Sequence, residues 1–532
     1  MTDDARDVDP TDPGPHLSPE TAPGVHGERH PWRLAALFVA PFALLALVWA
    51  LSNPPAAAPD ENDHLTKALG NSVLDFGAKG PAYEGDDLLL ARNASTLRIF
   101  SVPSRLTQPA YTCFAFKPNE SAACQPDSFP EDTGNIDVAS PVGAYPPFFY
   151  FPIGWAAHLA STPYEAFVAG RLVVIAMSSL LLMLGVAHLM RWLGRRSVVG
   201  VVAAVTPIGV YTMGTITTSS VELMAAIAAA SVVTVAILRP ESVRAPSTHW
   251  TLAVAGSALV LSRQLGAICL AALILVLMVH LGWPRVKELF ASRQRSFYGA
   301  VIVLMVATVT ITWYEVTFDR PAETGPVFSA DAFSAFLNKA YPLFQSGVGR
   351  FGWLDTPLPG PVIGLWMGMW VVVVGTAALI GRRREMATLL LWVFGTWFMA
   401  YALYASGFYP IAADVQGRHI LPTAAFALVL GGAVLAERLG SIGTTVLTRL
   451  FVGIGVLAGL IQFFSLYWNA RRYAVGMEGR IWFLPTSEWS PVGGWAPWLV
   501  LALIGGILLT AVVVSFRPRS TAAPAHSAST TD

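Results

Sequence analysis

Charge is scarce in this chain of 532 residues: only 13% are Asp, Glu, Lys or Arg, where soluble domains carry roughly 25%. So thin a supply excludes a large water-exposed globule and points to a membrane protein. An excess of one sign is missing too. The 34 basic residues balance 34 acidic ones, so no bulk field argues for nucleic acid. Cysteine is down to three, too few for a disulfide-rich framework. Cys269 lies inside an apolar run, while Cys113 and Cys124 share one long polar loop. In an oxidising compartment those two could close a disulfide; two free thiols are the alternative. Internal repeats of the solenoid kind, and clear inverted repeats of the transporter kind, are also missing.

What the chain has in abundance is apolar residues, 54% of the total. They fall into runs near 34–51, 166–190, 198–213, 218–238, 251–281, 297–316, 360–381, 386–405, 418–436, 450–468 and 495–516. Many reach the roughly 17 to 25 residues needed to cross a bilayer. Basic clusters punctuate them, at Arg191, Arg195 and Arg196, at Arg239 and Arg244, at Arg285 to Arg295, at Arg382 to Arg384, and at Arg517 and Arg519. The positive-inside rule asks that all of these be cytoplasmic. The run 251–281 is too long for one crossing, about 46 Å against a hydrocarbon core of about 30 Å. Breaking it at "SRQLG" makes two short helices and carries Arg263 to the outer surface. The proline-rich "YPPFFYFPIGWAAHLAS", residues 145–161, then has to be re-entrant or interfacial to keep Arg191 to Arg196 inside. The expectation is an all-α, polytopic integral membrane protein of about 12 transmembrane helices with both termini cytoplasmic. Residues 1–33 and 517–532 read as disordered cytoplasmic tails around a transmembrane domain at 34–516. The first run reads as an uncleaved helix rather than a signal peptide.

The longest loop, residues 52–145, is extracytoplasmic in this topology and holds twelve acidic and six basic residues. It opens with "NPPAAAPDENDHLTKALG", residues 53–70. One explanation of its acids is structural: Asp60 caps a helix, Glu61 and Asp63 favour its positive end, and Gly70 terminates it. A second is catalytic, with Asp60, or Glu61 beside it, as a general base whose pKa is tuned by burial and neighbouring acids. A divalent metal held by Asp60, Asp63 and His64 is a third, on spacing that is no strong metal signature; no cofactor is otherwise called for.

This opening resembles that of the bacterial membrane protein family called domain of unknown function 2142, which typically reads Pro-Pro, a short gap, Ala-Pro-Asp-Glu, two residues, His. The resemblance continues through "YPPFFYFPIGWAA", "AGRLVVI" at 169–175, "VTPIGVYTMGTITTSSVE" at 205–222, "FGWLDTPLP" at 351–359 and "GRHILP" at 417–422. It departs at Thr217 and Thr218, where an Asn-Pro pair is expected, and at His419, where the motif usually has an aromatic. The family in turn resembles membrane glycosyltransferases of the GT-C type. That resemblance implies a GT-C-like fold, a polyprenyl-phosphate-linked sugar donor, a cell-envelope polysaccharide or glycolipid acceptor, and a bacterial plasma membrane location. The enzyme would be a hexosyl or pentosyl transferase. Asp60 is then the first candidate for the base and Glu61 the second.

A phosphate-bearing donor calls for arginine, whose planar fork offers paired donors. Arg418, Arg171 and Arg350 stand near the expected outer ends of apolar runs, and each could equally be snorkelling to lipid headgroups. His64 joins them as a substrate-binding candidate, and so does Glu222, an acid at membrane depth, although a helix start also accounts for an acid there. Rival readings are a transporter or flippase of a lipid-linked saccharide, and a non-catalytic envelope scaffold.

Overall fold

The computed structural model describes residues 28–81, 85, 94–128, 131–143, 145–284, 287, 295–317, 329–405, 416–442 and 444–517. The two tails therefore lie almost wholly outside the described residues, as do Arg285 and Arg293. The apolar runs become helices. In chain order these begin with α1 (Pro31–Ser52), α2 (Glu61–Ser72), α3 (Tyr150–His158) and α4 (Pro163–Leu193). Next come α5 (Val199–Ala204), α6 (Pro207–Met213), α7 (Thr218–Leu238), α8 (Pro246–Ser262) and α9 (Gln264–Leu281). After α10 (Arg295–Thr317) and α11 (Ala330–Gly349) follow α12 (Gly360–Ile380) and α13 (Arg383–Ala405). The last three are α14 (Gly417–Ile442), α15 (Thr444–Val475) and α16 (Trp495–Ser515).

Eight of the described helices, α1, α4, α7 and α12 to α16, are long and apolar enough to cross a bilayer. The run 198–213, expected as one crossing, is a broken span: α5 and α6 meet at an 85° bend. Pro207 causes it, because a proline cannot donate its backbone nitrogen to the preceding turn and instead starts a new helix at its first position. Among the described residues that makes eight candidate crossings, or nine with the bent pair, against the expected twelve; only Leu265–Leu281 in α9 and Ser296–Ile311 in α10 add shorter apolar stretches. The split of 251–281 falls where length and charge placed it, with Arg263 extended (φ −164°, ψ 158°) between α8 and α9. α3 has nine residues, a rise of about 13 Å that cannot cross.

The centre of the bundle is α7, buried around its whole circumference and packed against α4, α8, α9 and α14. Its alanines and serines allow backbones to approach closely, the packing mode that works where no water drives apolar association. The periphery is the reverse. Leu365, Val371, Leu379, Phe394, Phe398 and Leu503 point outward, an apolar rim suited to lipid.

On one side of the bundle the long first loop folds into structure that hydropathy did not announce. An antiparallel sheet joins β1 (Ala78–Lys79), β2 (Arg98–Pro103) and β3 (Asn135–Ser140) in the order 1-2-3, with Ile99 opposite Ala139 and Val102 opposite Ile136. β2 alternates buried and accessible side chains, as a half-covered strand should. A two-residue pair, β4 (Arg350–Phe351) with β5 (Thr356–Pro357), closes the "FGWLD" turn. Between the apolar runs 297–316 and 360–381 lies α11, begun by the Ser329 hydroxyl accepting from Ala332 N–H.

Candidate functional site

The stretch Asn53 to Ala58 leaves α1 as buried, non-helical backbone, and buried carbonyls have to be paired. Side chains from distant elements pair them. Arg171 Nη1 donates to the carbonyls of Ala50 and Asn53 at 2.8 and 3.1 Å, and Nη2 to Pro54 at 2.7 Å. Gln125 Nε2 donates to Pro55 at 2.9 Å, Trp353 Nε1 to Ala56 at 3.0 Å, and the hydroxyls of Tyr211 and Tyr473 to Ala57 at 3.0 and 2.5 Å. The two prolines remove donors that would need partners of their own. Alanines leave room for the long side chains that converge here, and all three are buried.

Glu61 and Arg171 are part of this clamp. The carboxylate takes Arg171 Nε on Oε1 and Nη2 on Oε2, both at 2.8 Å, and Oε1 also accepts Ile216 N–H at 3.0 Å. A guanidinium has five N–H donors, and the two bonds to Glu61 plus three to carbonyls account for all five. Arg171, read from sequence as a phosphate-binding candidate, thus has no donor left to offer. Glu61, the second candidate for the base, is fully buried and paired.

Asp60 is in a different situation. It occupies the N-cap of α2 in the left-handed region, φ 63° and ψ 7°, and its side chain makes no cap hydrogen bond. The capping role considered for it is not what it does. Aspartate tolerates this region better than most residues, and the residue as a whole is half-buried. Gly70 does not end the helix either, which continues to Ser72.

The face of α2 that follows is lined with shifted groups. Burial raises Asp60 above the ordinary carboxylate range, against the opposing pull of Arg418 and Arg263. Asp63 is pushed up to about 7, by burial first and then by the charge of Asp60. Burial, then Arg418, Arg263 and Lys67, hold His64 well below the usual imidazole range, so the ring is neutral near pH 7. Its Nδ1 meets the Tyr150 hydroxyl at 2.8 Å. Lys67 is lowered to about 7, by burial first and then by Arg98; its Nζ donates to the Gly143 carbonyl and lies 5.1 Å from the Tyr150 ring centre.

Tyr150 comes from α3, which sets it by packing directly on α2. Gly154 makes that contact: a Cβ there would stand 1.9 Å from the Ala68 carbonyl oxygen. Arg263, freed from helix geometry by the break between α8 and α9, reaches the Tyr145 hydroxyl at 3.4 Å. Arg418 is placed by the residue before it. A Cβ on Gly417 would lie 2.0 Å from Gly347 N, so only glycine lets the start of α14 lie this close to α11; Ser346 Oγ accepts Gly417 N–H at 2.7 Å. A narrow crevice of about 10 Å³, room for about one water, lies between Pro59, Ser346, Arg350, Gln416 and Arg418. Arg350 is half engaged, with Nε donating to the Leu354 carbonyl at 2.5 Å. Glu222, the fifth residue of α7, is fully buried with neither carboxylate oxygen hydrogen-bonded, and Arg263 and Arg418 are the cations that act on it.

The fold thus gathers Asp60, His64, Arg418, Arg350 and Glu222 around one end of the bundle, and diverts Glu61 and Arg171 to holding the loop. Sequence reading missed Lys67, Tyr145 and Tyr150 as neighbours of Asp60. Only Arg263 left a signal, through the helix break. Among the described residues no group of three or more His, Cys, Asp or Glu converges as metal ligands would, so Asp60, Asp63 and His64 do not form the ligand set considered for them. Cys113 and Cys124 are joined in a disulfide, with Cα atoms 6.1 Å apart.

A family model described as "Predicted membrane protein (DUF2142)" matches residues 42–427. No curated protein matches the chain. Among solved structures, one similar to it is the crystal structure of ArnT from Cupriavidus metallidurans in the apo state. The two are 14% identical with a TM-score of 0.40, over 90% of this chain and 76% of that one.

Proposed function

The chain belongs to the DUF2142 family of predicted membrane proteins, and from the chemistry of its site we propose that it is a GT-C-like membrane glycosyltransferase. It moves a sugar from a polyprenyl-phosphate carrier to an envelope polysaccharide or glycolipid. The transmembrane unit, residues 34–516, lies in the bacterial plasma membrane with both tails cytoplasmic and the α2 side facing outward. The observation that carries this reading is Asp60: an acid at the α2 end of the bundle, spent on neither cap nor salt bridge, next to the guanidiniums of Arg418 and Arg263.

In the proposed reaction the acceptor hydroxyl gives its proton to an Asp60 carboxylate oxygen while its oxygen bonds to the anomeric carbon. The bond from that carbon to the phosphate oxygen breaks, and polyprenyl phosphate leaves with the electron pair. Burial makes Asp60 a stronger base than a free carboxylate, which favours proton abstraction once it is ionised. Arg418, Arg263 and Arg350 supply the positive field for the departing phosphate. Neutral His64, bonded to Tyr150, adds a polar contact without a charge that would compete for the phosphate. Glu222 lies behind the two guanidiniums as a positioning residue.

The test is transfer of radiolabelled sugar from a panel of polyprenyl-phosphate donors to membrane extracts. Wild type and Asp60→Asn are compared at matched expression. Loss of a general base typically costs 10²- to 10⁴-fold, so transfer should fall by about that factor with the protein still folded. Undiminished transfer in the variant would sink the assignment of Asp60. Movement of the labelled lipid across liposomes without any transfer would favour a flippase.

A further inference from the structure

A second cavity, separate from the crevice at Arg418, opens between the disulfide-closed part of the first loop and the loop before α16. Its volume is about 450 Å³, within the range typical of small-ligand sites. Tyr111 and Trp489 line it together with Asp127, Glu488, Gln125 and Asn53. From this set we infer a binding site for a neutral oligosaccharide, a function that stands whether or not the chain transfers sugar.

The floor supplies the strongest indication. Asn53 is 3% exposed, its Oδ1 accepts from Asn469 Nδ2 at 2.7 Å, and its own Nδ2 is buried with no hydrogen-bond partner. A buried amide donor left unpaired is costly, and a ligand oxygen in the cavity relieves it. Gln125 spends both N–H groups on the carbonyls of Pro55 and Tyr111, at 2.9 and 2.8 Å, and so turns its acceptor oxygen to the remaining role.

The walls decide the ligand class. Tyr111 is buried beneath the surface, but Trp489 and Tyr164 are partly accessible, and aromatic faces carry partial negative charge that attracts the C–H bonds of a pyranose ring. Asp127 and Glu488 are accessible carboxylates suited to receiving hydroxyl protons. Among the residues lining the cavity there is no Lys, Arg or His. Two carboxylates without a cation repel phosphate and acidic sugars, the opposite of the arginine-lined crevice. The walls are also preset. The Cys113–Cys124 disulfide closes the loop on one side, and on the other Glu488 N–H donates to the Ala474 carbonyl at 2.9 Å while Trp489 packs 5.6 Å from Trp495. Preformed walls lower the ordering cost of binding.

The experiment is saturation-transfer difference NMR on the full chain in lipid nanodiscs, with maltotriose and chitotriose as probes and inorganic phosphate and tetramethylammonium as charged controls. Signal on the saccharide ring protons is expected, with none from phosphate. The double variant Asp127→Asn, Glu488→Gln alters only accessible side chains and should weaken saccharide binding about tenfold, and Trp489→Ala by at least as much. Three results would overturn the inference: no signal from either saccharide, saccharide binding that both variants leave intact, or binding of tetramethylammonium in place of sugar. Because the readout is binding, failure of the transfer assay leaves it untouched.

Discussion

Asp60 and Glu61 are chemically alike and adjacent, yet the fold puts them to different uses, and that difference is testable one residue at a time. Glu61 neutralises a buried guanidinium, and removing one partner of such a pair leaves an uncompensated charge at a cost of about 3–5 kcal/mol. Glu61→Ala should therefore lower thermal stability sharply, whereas Asp60→Asn should shift it by only about 1 kcal/mol or less. Unfolding followed by tryptophan fluorescence in nanodiscs measures both, and equal losses would contradict the division of roles. Asp63 gives a prediction in pH. The unfolded chain releases this proton near 3.8 and the folded chain holds it to about 7. Between those values the folded state binds more protons, so stability falls as pH rises. Lys67, lowered from 10.5 to about 7, makes stability fall as pH drops from the other side. Asp63→Asn removes the first penalty. Its gain over wild type should be near zero at pH 4 and grow to about 1–2 kcal/mol at pH 8, a figure reduced for partial exposure to water.

At the scale of elements, the pairing of α2 with α3 decides whether the acids are presented at all. Their separation is set by Gly154 against the Ala68 carbonyl. A valine there has to displace one helix, and such overpacking typically costs 1–3 kcal/mol or more. We expect Gly154→Val to lower the melting temperature, to break the Tyr150 contact to His64, and to abolish transfer even with Asp60 intact; normal melting and transfer would show that the contact is dispensable. This packing also marks where sequence reading ran out. Hydropathy and length located the apolar helices, and length with charge located the break at Arg263, because each signal is local. The partners of the "NPPAAAPD" backbone lie far away in sequence, Arg171 being 110 residues from Glu61 and Tyr473 being 416 from Ala57. Nothing local distinguishes an arginine that will clamp carbonyls from one that will meet a phosphate. α11 escaped for another reason: it is amphipathic rather than apolar throughout, so a search for crossings passes over it.

Across the whole molecule the charges sort by side. Arg239 pairs with Glu437 at 2.6 Å, Arg438 with Glu385 at 2.7 Å, and Arg195 with Glu28 at 3.1 Å. These bonds tie together the ends of α4, α7 and α14, the start of α13 and the segment before α1, on the side opposite α2. On the α2 side the buried arginines are individually consumed, Arg171 by Glu61 and Arg472 by Asp355 at 2.8 Å together with the carbonyls of Phe114, Lys117 and Glu120. The positive-inside rule counts Lys and Arg near helix ends with little regard to neighbouring acids, and the clusters at Arg191 to Arg196, Arg239 and Arg244, and Arg382 to Arg384 all stand at helix ends on the side away from α2. The prediction is that the α2 side faces out of the cell. Labelling can test it cleanly, because Cys113 and Cys124 are bonded and Cys269 is buried, so the native thiols contribute little background. Cysteine introduced at the exposed Ser128 should react with a membrane-impermeant maleimide in intact cells, and cysteine at the exposed Glu241 only after permeabilisation. The reverse pattern would place Asp60 on the cytoplasmic face, where an outward-facing lipid-linked donor could not reach it, and the proposed reaction would fail with the topology.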